Sequence, residues 1–274
     1  MNNAPLRAIV LDNDEATGSY MLLFSLWETL QKTSIGEALT FRQVLEFLIE
    51  NVEKYNIFRP GLFKLLDTAY ELREAGKIDA LIMYTHQNAD FTWKDWSIPA
   101  LLATLMGHLL AKKKGHLLTR ILFDHVLSLP PEDNQKELPG GWVTKSFDRI
   151  LNLYPWKPQD IRGIIFMDDH ASPKYIDADS VPEGFKDASS WYKVFPYRVS
   201  YGATVYKRFI GEFVSHFNLV MEGEDEENIR IIATSATEEK NGVATYREND
   251  RSLIDLEGYI RERYNVNIKD NRRK

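Results

Sequence analysis

The sequence predicts an α/β fold with a central, mainly parallel sheet flanked by helices. Short apolar runs recur: Ala8 to Leu11, Ala80 to Tyr84, and Gly163 to Met167. Strands buried on both faces lose the in–out alternation and read as continuous apolar runs of this kind. Helically spaced stretches separate them, and strands alternating with helices pair in parallel. Each run also ends on a polar residue able to do chemistry, namely Asp12, Thr85 and Asp168. Ligands of such sheets bind beyond the carboxyl ends of the strands, so the three could converge on one crevice.

Arg7 to Asp12 is the first strand, and helical stretches follow over Tyr20 to Gln31 and Phe41 to Tyr55. In the second of these, Val44, Leu45, Phe47, Leu48 and Val52 carry the apolar spacing of one helix face. Arg59-Pro60-Gly61 opens a helix through Leu66, Tyr70 and Leu72 that stops near Gly76. After the second strand, Pro99 to Ala111 reads as helix and Arg120 to Phe123 as a further strand. Residues 128 to 142 are rich in breakers and read as a loop, with a short helix near Phe147 to Leu153. Beyond the strand ending at Asp168-Asp169, Ala203 to Phe217 is amphipathic and Ser252 to Tyr264 reads as a terminal helix. The acidic run Glu222 to Glu227 reads as a solvated loop. There is no internal repeat.

Composition narrows the chemistry. The chain has 274 residues, enough for one large domain or a core with one substantial insertion. It has no cysteine, which excludes thiol nucleophiles, disulfide redox chemistry and thiolate metal sites. Its six histidines include no HExxH pattern. A net charge of −6 argues against a nucleic-acid coat while leaving a local basic patch open. No apolar run is long enough to span a bilayer and the first residues lack a signal-peptide pattern, so an intracellular protein, cytoplasmic or nuclear, is expected.

Phosphate-ester hydrolysis requires a nucleophile, a cation, a proton donor for the leaving group and donors that hold the phosphoryl oxygens. A carboxylate can be the nucleophile, and magnesium takes oxygen ligands. Asp12 could attack, Asp14 could move the proton, Thr85 and Lys145 could hold the phosphoryl group, and Asp168 or Asp169 could complete a magnesium site. Each feature also has a structural alternative. Asp-x-Asp after a strand can be a turn or helix cap, Thr85 can be a strand-end residue, and Lys145 a solvated lysine. Adjacent carboxylates such as Asp168-Asp169 say more, because they repel unless a cation or solvent relieves them.

Taken in order, these pieces resemble the motifs of the haloacid dehalogenase (HAD) superfamily. Leu11-Asp12-Asn13-Asp14-Glu15 resembles the first motif, Met83-Tyr84-Thr85 the second, Lys145 the third, and Phe166-Met167-Asp168-Asp169 the fourth. The nearest branch is that of the phosphatases resembling those acting on the carboxy-terminal domain of RNA polymerase II. There, Asp-x-Asp-Glu is followed by an Arg-Pro-Gly helix start, here Arg59-Pro60-Gly61, and an Asp-Asn-Ser-Pro-like turn closes the site, here Asp168 to Pro173. The resemblance implies a single Rossmann-like domain over 1–274, with segments 18–58 and 86–144 as candidates for a small helical cap. It implies an aspartyl-phosphate phosphatase using Mg2+ and acting on a phosphorylated substrate, with a phosphoprotein as the branch's suggestion. Its roles fall on Asp12 as nucleophile, Asp14 as general acid/base, and Thr85 and Lys145 as phosphoryl clamps. Asp12, Asp14 (through its carbonyl) and Asp168 would ligate the metal, with Asp169 a further or water-mediated ligand. The sequence departs from the family at Ala16, where Thr or Val is usual and Thr17 comes one residue late.

A receiver-type phosphorylation domain uses the same residue types with the acidic pair first; the order here favours the dehalogenase-type reading. A non-catalytic binding protein that kept the core, and phosphoryl transfer to an acceptor other than water, are the competing functions. Around the site, Lys112-Lys113-Lys114 with His116 could meet an acidic partner or simply end a helix. Trp93, Trp96 and Trp142 could form a substrate wall or pack in the core. His86 and His170 adjoin the motifs and receive no role.

Overall fold

The structure is a computed structural model that describes residues 7–87, 89–128, 137–138, 142–143, 145, 149–150, 152–153, 163–169, 191–199, 201–221, 223–238 and 250–265. Its strands are β1 (Arg7–Leu11), β2 (Ala80–Tyr84), β3 (Thr92–Trp93), β4 (Trp96–Ser97), β5 (His125–Leu127), β6 (Glu137–Leu138), β7 (Trp142–Val143), β8 (Gly163–Asp168) and β9 (Trp191–Lys193). Five of them form one sheet in the order β5-β2-β1-β8-β9, and every pairing in it is parallel. The mainly parallel sheet expected from the sequence is therefore present, and it is wholly parallel among the described residues. Chain order reverses between β1 and β8, and that switch point is where a doubly wound sheet opens a crevice beyond its strand ends.

Eight helices accompany it among the described residues: α1 (Met21–Lys32), α2 (Ser34–Ala38), α3 (Phe41–Asn51), α4 (Leu62–Glu74), α5 (Ile98–Lys114), α6 (Ala203–His216), α7 (Gly223–Glu238) and α8 (Ser252–Arg263). Local sequence explains their limits. Thr40 and Gln43 form a capping box at the start of α3. Ser97 caps α5 ahead of Pro99, and α5 stops at Gly115, whose φ of 73° is the left-handed conformation glycine tolerates. α4 starts from Gly61 at φ 85°.

Pleating divides the sheet's side chains. Ile9, Leu11, Leu81, Met83, Ile165 and Met167 join one large core with the helices. Ala8, Val10, Ala80, Ile82, Tyr84, Ile164 and Phe166 face a small second cluster with Leu127, Ile150 and Leu153. Helices α1 to α3, inside segment 18–58, contribute Leu22, Leu26, Trp27, Leu30, Ile35, Val44 and Leu48 to the large core. No helix among the described residues is long and apolar enough to cross a membrane.

Two expectations are overturned. Arg120 to Phe123 is not a strand; the third parallel strand comes slightly later, at His125–Leu127. Leu122 and Phe123 are buried while Ile121 is exposed, and Arg73 reaches the carbonyls of Ile121 and Leu122 with its guanidinium, so those groups bond a side chain instead of a ladder. The acidic run at Glu222 to Glu227 is not a loop either, because α7 begins inside it. Glu224, Asp225 and Glu226 occupy the first turn, where the helix dipole favours negative charge. Buried Asp225 also accepts hydrogen bonds from Ser34 N and Oγ, tying α7 to the start of α2. Within the predicted loop 128–142, β6 and β7 pair antiparallel. The rest of that loop and most of the helix expected at Phe147 to Leu153 lie outside the described residues.

Candidate active site

Asp12 stands one residue past β1, its N–H bonded to the Met167 carbonyl at 2.8 Å, so β8 fixes where the carboxylate begins. The chain then turns sharply. Ala16 N–H donates to the Asp14 carbonyl at 2.7 Å across Glu15, whose φ is 58°. That three-residue closure with a positive φ at a non-glycine is a strained turn, a feature found where a site is held in place by its surroundings. Gly18 closes the loop, since a Cβ there would lie 2.4 Å from the Ile57 carbonyl oxygen.

Buried Arg59 locks the loop. Its N–H donates to the Thr17 carbonyl, and Nη1 donates to the Ala16 carbonyl at 3.0 Å. Nη2 reaches the Phe195 carbonyl at 2.6 Å and Nε the Asp250 carboxylate at 2.6 Å. The loop after Asp12, the chain after β9 and the start of α8 are thus held by one side chain.

Asp168 ends β8 and Asp169 follows in a turn, which frees the pair from strand alternation. Asp12, Asp168 and Asp169 are all buried, and each places a carboxylate oxygen within 4.8 Å of the others. Lys145 is buried among them, with Nζ 2.5 Å from Asp12 Oδ1 and 2.6 Å from Asp168 Oδ2. The rings of Tyr84 and Phe166 lie 5.8 Å from the same nitrogen.

The electrostatics follow from this crowding. Burial, reinforced by Asp168 and Asp169, holds the Asp12 carboxyl well above its usual range despite the nearby ammonium. Burial alone would lower Lys145, but the charges of Asp12 and Asp168 outweigh it and keep the lysine firmly protonated. Three buried carboxylates so close together repel one another, and a bound cation would relieve that repulsion. The donor set is all oxygen, which suits magnesium.

Thr85 follows β2, with its N–H bonded to the Leu127 carbonyl at 2.8 Å. Its Oγ1 accepts the Gln87 N–H at 3.1 Å, which leaves the hydroxyl proton to point elsewhere. Asp14 is half-buried, and its carboxylate is not part of the three-carboxylate group. The fold therefore brings Asp12, Lys145, Asp168 and Asp169 into contact, with Thr85 and Asp14 at the adjoining strand end and turn. His86 is half-buried beside Thr85; His170 lies outside the described residues.

Outlying features take their structural alternatives. Trp93 packs edge-on to Trp27 at 5.4 Å, and Trp96 stacks on Phe41 at 3.5 Å, so both belong to the helical core. The Trp142 side chain is outside the described set. Lys112 bonds the Ile49 carbonyl, Lys113 pairs with Glu53 and Lys114 with Asp67, which anchors the end of α5.

Sequence reasoning missed three contributors: Arg59 as the lock of the loop, the Tyr84 and Phe166 rings beside Lys145, and the buried pair Asn13 and Gln87. Arg59, Tyr84, Phe166 and Asn13 stood inside the quoted motifs without a role, and Gln87 carried no signal. No family model matches the chain, and neither the curated proteins nor the solved structures contain a match to it.

Proposed function

We propose that the chain is a magnesium-dependent phosphatase of the haloacid dehalogenase type, hydrolysing a phosphomonoester through an aspartyl-phosphate on Asp12. The observation that carries the reading is the bridge of Lys145 between Asp12 and Asp168, inside a buried three-carboxylate group at the switch point of a parallel sheet. The order of the pieces along the chain, Asp-x-Asp, Thr, Lys, Asp-Asp, also supports it.

In this reading Asp12, Asp168 and Asp169 would hold the metal with their carboxylates, and Asp14 would add its carbonyl. Bound Mg2+ supplies charge neutralisation at the phosphoryl oxygens. Asp12 attacks phosphorus as the bond to the leaving oxygen breaks, and Asp14 gives that oxygen a proton. Asp14 then takes a proton from water as the water attacks the phosphoryl group and releases Asp12. Lys145 and the Thr85 hydroxyl hold phosphoryl oxygens through both steps. A phosphoprotein substrate rests on the branch resemblance alone.

The test is hydrolysis of a generic aryl phosphate with magnesium, with EDTA and by Asp12→Asn. Turnover that needs magnesium and disappears in Asp12→Asn is expected. Turnover that survives in a folded Asp12→Asn protein would sink the assignment.

A further inference from the structure

Beside the carboxylates lies a chain of buried polar side chains that the proposed chemistry does not use. Asn13, Thr17, Tyr20 and Gln87 are all buried. Thr17 Oγ1 donates to the Asn13 carbonyl at 2.7 Å and approaches Asn13 Oδ1 at 3.2 Å, while the Tyr20 hydroxyl sits 2.8 Å from the same oxygen. With its hydrogen committed to Asn13, Thr17 receives the Tyr20 proton. The Asn13 side-chain oxygen lies on the Thr17 side, and its Nδ2 donates to Gln87 Oε1 at 3.4 Å.

The Gln87 amide continues this chain. Its oxygen is turned to Asn13, so its nitrogen carries the donors, and Nε2 is buried with no hydrogen-bond partner. A desolvated amide nitrogen without an acceptor is costly, and natural proteins seldom keep one without a use. Its position suggests the use. Gln87 is anchored at Thr85 by its own N–H, and its side chain ends against the residue between Asp12 and Asp14.

We infer that Gln87 is a ligand-binding residue whose Nε2 donates a hydrogen bond to an oxygen of the bound phosphoryl group. The assignment rests on the phosphatase reading and adds a neutral donor to the cationic Lys145 and the Thr85 hydroxyl. The contact is to the phosphoryl group and not to the leaving group, so it is made with every substrate and with inorganic phosphate itself.

The experiment uses the full chain with magnesium and measures competitive inhibition of aryl phosphate hydrolysis by inorganic phosphate. Wild type is compared with Gln87→Met, which keeps the volume and removes the amide, and Gln87→Glu, which keeps the acceptor for Asn13 and removes the donor. The inhibition constant for phosphate is expected to rise about tenfold in Gln87→Met, the scale of one lost hydrogen bond to a charged group. A larger rise is expected in Gln87→Glu, which keeps the acceptor for the buried Asn13 amide that Gln87→Met removes. Phosphate inhibition within about twofold of wild type in folded Gln87→Met overturns the inference and makes the amide structural. Should wild type hydrolyse nothing, the phosphatase reading fails separately, and phosphate binding is followed by calorimetry with magnesium. Weaker binding in Gln87→Met would then still support the contact, and unchanged or absent binding would overturn it.

Discussion

The two faces of the sheet are built on different principles. One is covered by a continuous apolar core joining α1 and α3 to α8 with β1, β2 and β8. The other carries a small cluster in which Tyr84 and Phe166 turn their rings toward Lys145. The first face stabilises by burying area, at about 25 cal/mol per Å2 of apolar surface. The second spends rigidity on a buried charge cluster that folding alone would not favour. The contrast teaches where to expect stability and function to part: residues of the helical face should matter for folding, and those around Lys145 for ligand binding.

Substitutions can break or sharpen that division. The largest expected effect is on catalysis. Asp12→Asn should reduce kcat by about 10^3-fold or more, as expected for loss of a covalent nucleophile, with a melting temperature equal to or above wild type in metal-free buffer. A folded variant that melts much lower would show that the carboxylate group is structural. Next is Lys145→Met, which leaves buried carboxylates uncompensated and should destabilise the metal-free protein by about 3–5 kcal/mol in denaturant melts. Magnesium should recover part of that loss, because a cation takes over the missing charge. Leu102→Ala, in α5 and fully buried in the helical core, should cost about 2–5 kcal/mol. It should leave the phosphate inhibition constant unchanged, and an altered constant would mean the two faces are coupled.

The smallest effects are those of pH, and two carboxylates should act with opposite sign. The Asp12 carboxyl is raised in the folded state, chiefly by burial. Folding therefore binds a proton that the unfolded chain has released above about 3.8. Its contribution is present below that value and lost as pH rises through the folded value, so metal-free melting temperatures should decline with pH there. Magnesium should flatten that decline. At Asp250, burial pushes the carboxyl up, but the Arg59 guanidinium and Ser252 more than offset it, so the folded value is lowered. Its contribution is present above the unfolded value of 3.8 and lost as pH falls through the folded one. Asp250→Asn should remove that acid-side loss and leave the alkaline decline untouched.

Much of this was legible in the residues because it was local. The apolar runs ending at Asp12, Thr85 and Asp168 marked three parallel strands and the edge of the sheet where chemistry gathers. What stayed hidden was long-range or masked by composition. Ile121 and Leu122 look like strand residues, yet their carbonyls belong to Arg73, a partner no local pattern announces. The acidic start of α7 has the composition of a solvated loop, and only its docking of Asp225 onto Ser34 makes it a helix cap. Arg59 read as a helix-start signature, whereas its guanidinium joins three segments remote in sequence. Asn13 and Gln87 are ordinary polar residues until the fold removes their water.

The register of β1 has a consequence for how the protein comes into being. Arg7 pairs with Gly163, and Asp12 hangs from the Met167 carbonyl, so the first strand waits for the eighth. With translation at roughly 5–20 residues per second, one edge of β1 stays unpaired for about 10–30 s after it emerges. During that interval Asp12 has neither Asp168 nor Asp169 beside it, and an apolar strand offers its open edge to other chains. The carboxylate cluster should therefore form late and all at once during synthesis. Yield should depend on how well the cell shields β1 until the sheet closes.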